Sequence, residues 1–303
     1  MKTGLDHLPE AKRRELARVV EVIRERFAFA IARRTMPDLR GGKLLKIVLF
    51  GSYARGDWVE DPVGRYFSDY DLLVIVDREA LTDVPEFWAK TEERLLNDLA
   101  AGQQLRTPVS LIYHSIDDVN EKLRLGRYFF TDIVRDGIVL FEEPGLALAE
   151  PQVLSPQQAL QETQEYFEEW FHSAQYAFTL AGYSVRDGEP KYAAFLLHQA
   201  TERFYHCLFL VRTLYSPKTH NLNQLRQLAE DMEPRLKRVW PRESKFDRRC
   251  YELLREAYVK ARHSRHYRIS SEQREWLSGR VEVLQQIVRE LCEERISTLA
   301  EAA

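Results

Sequence analysis

Phe50-Gly51-Ser52-Tyr53-Ala54-Arg55-Gly56, read with Ser68-Asp69-Tyr70-Asp71-Leu72-Leu73-Val74, decides the fold of the first half of this chain. Leu44 to Phe50 (LLKIVLF) is an unbroken apolar run of strand length, and a glycine-serine turn follows it at once. A second apolar run, Leu72 to Val76, starts where the two aspartates end. Residues two apart on a strand share a face, so Asp69 and Asp71 project together, close enough to share a divalent cation. Mg2+ (or Mn2+) suits such a pair, because it takes a few hard carboxylate oxygens and completes its shell with substrate phosphate oxygens. Gly51 lets the backbone approach a phosphate closely, and the amides that open the next helix face the same anion. Gly51 and Ser52 are therefore the expected phosphate-holding residues, with Arg55 as a charge-assisted contact.

Working outward, Pro9 to Arg34 has the periodicity of an amphipathic helix, and Arg40-Gly41-Gly42 breaks it before the first strand. Helical patterns return at Glu86 to Ala101, Asp117 to Leu125 and Tyr128 to Arg135, with strands expected at Pro108 to Tyr113 (PVSLIY) and Gly137 to Phe141 (GIVLF). Trp58 to Tyr66 (WVEDPVGRY) reads as an inserted surface loop. Strands alternating with helices imply a small mixed sheet with helices packed on it. Glu142 to Pro156 is rich in proline and suits a domain crossing. Beyond it the pattern is helical throughout: Pro156 to Tyr183, Pro190 to Leu214, Leu222 to Met232, Lys245 to His263, and Ser271 to the C-terminus. The expected class is α+β, a mixed sheet with helices at 1–145, a linker at 146–156 and an all-α bundle at 157–303.

Glycine-serine, a spacer and Asp-x-Asp resemble the signature of the nucleotidyltransferase superfamily, which includes polymerase-beta-like enzymes and the minimal nucleotidyltransferases of toxin–antitoxin pairs. The resemblance implies catalysis by Ser52, Asp69 and Asp71, a metal held by Asp69 and Asp71, and ATP or another nucleoside triphosphate as substrate. AMP would pass to a hydroxyl or phenol, most directly on a protein. The family places a third carboxylate on a neighbouring strand; here that position falls on Ser110, and Asp77, Asp117 and Asp118 are the acids nearest in sequence to the strand ends.

Tyr192 to Leu225 (YAAFLLHQATERFYHCLFLVRTLYSPKTHNLNQL) and the later Ala261-Arg262-His263-Ser264-Arg265-His266-Tyr267 resemble a HEPN domain. This helical family occurs in prokaryotic stress and defence systems, often beside or fused to a nucleotidyltransferase. It implies a homodimer through the helices and, in many members, a metal-independent ribonuclease built on an arginine and a histidine. Arg262 and His266 are the nearest such pair, set closer than the family's active pattern, and Tyr267 is the nearest analogue of the tyrosine that partner nucleotidyltransferases modify. Two further readings follow: a HEPN ribonuclease restrained by the first domain, and a non-catalytic nucleotide-sensing scaffold that binds RNA or a protein partner. His198, Glu202 and His206 recur at one-turn spacing on a helix, where they satisfy one another in a core or hold a metal.

The 303 residues are ordinary in composition, with a net charge of −3 that gives no blanket attraction to nucleic acid. Basic residues do cluster between Arg235 and Arg268, as a solvated helix face or a phosphate-binding surface would. Cys207, Cys250 and Cys292 lack metal-ligand spacing and read as reduced thiols. No apolar run reaches membrane-spanning length and no signal segment is recognisable, so no membrane association and a cytoplasmic location are expected.

Overall fold

The apolar run Leu44–Phe50 forms β1, buried along nearly its whole length as a central strand covered on both faces must be. It is preceded by α1 (Glu10–Ile31) and followed by the one-turn α2 (Gly51–Arg55), a short hairpin of β2 (Glu60–Asp61) and β3 (Tyr66–Phe67), and β4 (Tyr70–Val76). A 3-10 turn at Glu79–Thr82 and a π-helical turn at Val84–Trp88 lead into α3 (Ala89–Ala101). Then come β5 (Val109–Ser115), α4 (Ile116–Arg124), α5 (Tyr128–Asp136) and β6 (Ile138–Glu142). The computed structural model describes residues 1–32, 34–36, 39–61 and 66–303; of the expected insertion, 62–65 lie outside them.

The four-stranded sheet has the order β5-β4-β1-β6. β1 runs antiparallel to both of its neighbours, whereas β4 and β5 are parallel. Alternation along the strands divides the residues between two faces. Ile47, Leu49, Leu72, Val74 and Val76 point to one face and bury against Leu16, Val19, Ile23 and Phe27 of α1 and against Trp88. On the other face Phe50 meets Phe129, and His114 meets Phe130, both from α5. The sheet thus lies between helical layers, which leaves its strand ends to carry the site.

The chain divides into two units, Met1–Val153 and Leu154–Ala303. The second is built of α6 (Pro156–Arg186), α7 (Pro190–Thr213), α8 (Leu222–Met232), α9 (Lys245–His263) and α10 (Ser271–Ala302), with a 3-10 turn at Pro234–Arg238. Ser155, Ser244 and Ser270 each open a helix with a reciprocal capping box, which satisfies amides that the first turn leaves unpaired. α7 is buried around most of its circumference and forms the centre of the bundle, so its polar residues need internal partners.

Several expectations shift here. α1 stops at Ile31, short of Arg34, and α6 continues past Tyr183 to Arg186, followed by a turn at Gly188, whose φ of +78° only glycine adopts readily. Much of the basic stretch is neutralised locally: Arg235 pairs with Glu233 and Glu294, Arg242 with Glu230, Arg255 with Glu252, and Lys260 with Glu256. The solvated-face reading fits these pairs. Among the described residues, no helix is long and apolar enough to cross a membrane.

Candidate active site

β1 delivers the chain to Gly51, which takes φ +72° and turns it into α2. α2 lasts one turn and closes at Gly56, φ +91°, whose amide donates to the Ser52 carbonyl at 2.8 Å. In the antiparallel register Phe50 faces Asp71, and in the parallel register Asp71 faces Ser110. Phe50, Asp71 and Ser110 therefore form one row across three adjacent strands. Gly51 extends that row, and a β-carbon there would overlap the Asp71 carboxylate. Asp71 is buried, and Asp69, two residues earlier, is half-buried.

Tyr70, between the two aspartates, points to the opposite face and is fully buried. Its ring packs on that of Tyr53 at 4.5 Å, and Tyr53 stacks on Trp58 at 5.3 Å. The Tyr70 hydroxyl donates to Glu15 of α1 at 3.4 Å; the same carboxylate accepts from the amides of Arg106 and Thr107. Lys12 donates to Thr107 at 2.7 Å and pairs with Glu60. Burial pushes both phenols well above their ordinary values, so they stay neutral and act as anchors. This network fixes α2 and the start of β4 from behind. Sequence reading missed Lys12 and Glu15, which look like ordinary polar positions on α1.

Two buried hydroxyls stand in the same region without a hydrogen bond among the described residues: Ser52 and Ser110. Unsatisfied buried donors are uncommon and suit a site that a ligand completes. Arg55 is exposed and pairs with Asp57 at 3.2 Å. The alternative acids are placed elsewhere. Asp77 follows the far end of β4, about 20 Å along the strand from Asp71 at the usual rise per residue, and accepts from the Lys43 amide. Asp118 lies beyond the far end of β5, where it meets His114, and Asp117 is in the first turn of α4.

In the second unit, His198 and His206 lie 3.4 and 3.9 Å from the Glu202 carboxylate, and His220, from the turn before α8, donates to it through Nδ1 at 3.0 Å. His198 donates its own Nδ1 proton to the Leu254 carbonyl at 3.0 Å. Burial raises the Glu202 carboxyl, but hydrogen bonds from His198 and His220 outweigh it and hold the group below its ordinary value. Burial lowers the His206 imidazole. His198, Glu202 and His206 do gather in the bundle interior, but they bond mainly to other groups: His198 to the Leu254 carbonyl, His206 to Ser216, and Glu202 to His220, a residue that helical spacing could not reveal. Among the described residues, no group of three or more His, Cys, Asp or Glu side chains is arranged to hold a metal.

Arg262 and His266 do not share a helical turn, because α9 ends at His263 and Ser264 is extended. Arg262 donates to the Tyr258 carbonyl at 2.7 Å and lies over the rings of Tyr258 and Phe195. His266 is exposed and accepts from Arg265 at 3.3 Å. Tyr267 is buried, packed on Ala194, Leu253 and Ala257, with its hydroxyl donating to the Leu253 carbonyl at 2.9 Å. As an acceptor it is enclosed: its oxygen would reach a nucleotide only if this segment opened.

A mixed sheet carrying a glycine-serine turn against Asp71, followed by a helical bundle, defines the class. Residues 32–127 match the model of the family described as nucleotidyltransferase domain, and residues 167–293 match that described as HEPN domain. The chain thus carries a nucleotidyltransferase domain followed by a C-terminal HEPN domain. No curated protein matches it.

Proposed function

We propose that the chain is a Mg2+-dependent nucleotidyltransferase that moves a nucleoside monophosphate, AMP from ATP, onto a protein side chain, in a toxin–antitoxin or defence setting. The observation that carries this reading is the row of Phe50, Asp71 and Ser110, with Gly51 set against the Asp71 carboxylate. Asp69 and Asp71 would hold the metal; two carboxylates suffice when substrate phosphates complete the shell. When bound, the ion neutralises triphosphate charge and favours displacement at the α-phosphorus. Gly51 leaves the backbone open to the phosphates, and the buried Ser52 hydroxyl has a donor to give them. Tyr53 and Tyr70 hold these groups in place.

Ser110 occupies the place of the third carboxylate, and a hydroxyl there cannot take a proton from the acceptor at neutral pH. An acceptor that needs no deprotonation, or brings its own base, suits this site. Pairing of two copies through their HEPN units belongs to the same reading. The test is pyrophosphate release from Mg2+–ATP by the full chain beside Asp71→Asn. Equal release by the two proteins would refute it.

A further inference from the structure

The helical unit contains an exposed nucleophile with its own buried carboxylate. His220 is solvent-exposed, with its side chain 61% accessible, while Glu202 beneath it is 7% accessible. A carboxylate oxygen only accepts, so Nδ1 of His220 carries a proton, and in the neutral ring the lone pair is then on Nε2. The ring stacks on Tyr258 with centroids 4.8 Å apart and planes 17° apart, which fixes its orientation. Arg262 lies over the same tyrosine at 4.7 Å and brings a cation to this aromatic patch. The backbone is held as well: the Asn221 amide donates to Thr219 Oγ1 at 3.1 Å, and the Asn221 side chain caps α8.

We propose that His220 accepts the nucleoside monophosphate, on Nε2, as a phosphoramidate; the proposal rests on the nucleotidyl-transfer reading above. The Nε2 lone pair attacks the α-phosphorus and the N–P bond forms. The bond from that phosphorus to the bridging oxygen breaks, and pyrophosphate leaves with the electron pair. No proton has to leave Nε2, and the positive charge that develops on the ring is balanced by Glu202 through the Nδ1 proton. A neutral imidazole therefore suits a transfer site with Ser110 in place of a carboxylate. Competing side chains are less suited: His198 and His206 are buried, and Tyr267 has its hydroxyl on a helix carbonyl. Glu202 also stays ionised in its cluster, as the balancing charge must.

The test uses the full chain with Mg2+ and each of the four nucleoside triphosphates in turn. Pyrophosphate release, intact mass and peptide mapping are read together. The expected result is a nucleotide-sized gain on the peptide carrying His220, stable in alkali and lost in mild acid, as phosphoramidates are. His220→Asn should remove that gain, and Glu202→Gln should slow it about 100-fold. Potassium phosphoramidate, a chemical phosphoryl donor, reads the nucleophile without the transfer site: it should label His220 in the wild type and in Asp71→Asn alike. Asp71-dependent pyrophosphate release with an acid-stable adduct, or with none on His220, overturns the acceptor assignment and leaves the transfer reading standing. No Asp71-dependent release with any of the four triphosphates overturns both.

Discussion

The carboxylate of Asp71 fills the space that a side chain at position 51 would need, so Gly51 and Asp71 exclude any larger pair. Gly51→Ala would strain a left-handed residue by about 1–2 kcal/mol and push the carboxylate out of its row. We expect transfer to be lost with only modest destabilisation. The check is pyrophosphate release beside a urea titration; full activity in Gly51→Ala would mean that the close approach is immaterial.

Asp69→Asn and Asp71→Asn each keep the side-chain shape and remove one charge. Either should lower transfer about 100-fold or more, the scale of losing a metal carboxylate. Secondary structure by circular dichroism should remain that of the wild type. Retention of transfer in both variants would remove the aspartates from the chemistry.

Ser110→Asp restores a carboxylate directly beside Asp71 on the parallel strand. Two close buried carboxylates repel, and we expect a cost of about 1–3 kcal/mol in the presence of chelator. Mg2+ should recover that loss by binding the folded chain. The readout is the unfolding midpoint with and without Mg2+; a midpoint indifferent to the ion would show that position 110 does not face the metal.

Tyr267→Phe deletes one buried hydroxyl and its bond to the Leu253 carbonyl. Denaturant titration should register a loss of about 1 kcal/mol. Nucleotide labelling of the chain should be unchanged, and labelling that disappears would return Tyr267 to the acceptor's role.

Acid should weaken the helical unit from two directions that share a sign. Burial places His206 below the ordinary imidazole value of 6.5, so its contribution is fully present above that pH and is lost as pH falls through the lower folded value. Glu202, raised by burial but held below 4.5 by His198 and His220, contributes stability above 4.5 and loses it as pH falls through its own folded value. Urea midpoints should therefore decline from about pH 7 to about pH 4, and His206→Asn should flatten the upper part of the decline. A rise on acidification would contradict both assignments.

The sheet was legible because its signals are local: β1 and β4 are apolar runs, and the register sets Asp71 opposite Phe50, whereas Asp69 lies just before β4. The strand that neighbours β4 was legible for the same reason: one run of the right length follows α3, and it pairs with β4 so that Ser110 is opposite Asp71. α8 and α9 match their expected bounds, their ends marked by a cap and by turn residues. Partnerships across the fold were not legible. His220 and Glu202 meet over 18 positions, and Tyr70 reaches Glu15 over 55. Nothing in local spacing distinguishes the enclosed Tyr267 from the exposed His266 beside it.

The parallel pairing of β4 with β5 also limits how this chain can vary in length. A residue gained or lost within either strand would turn Asp71 or Ser110 to the opposite face, so such a change cannot be absorbed gradually. The connection from Asp77 to Pro108 lies outside the ladder and can lengthen or shorten without moving the row. Natural relatives should therefore differ in length between these strands and keep the strands themselves constant.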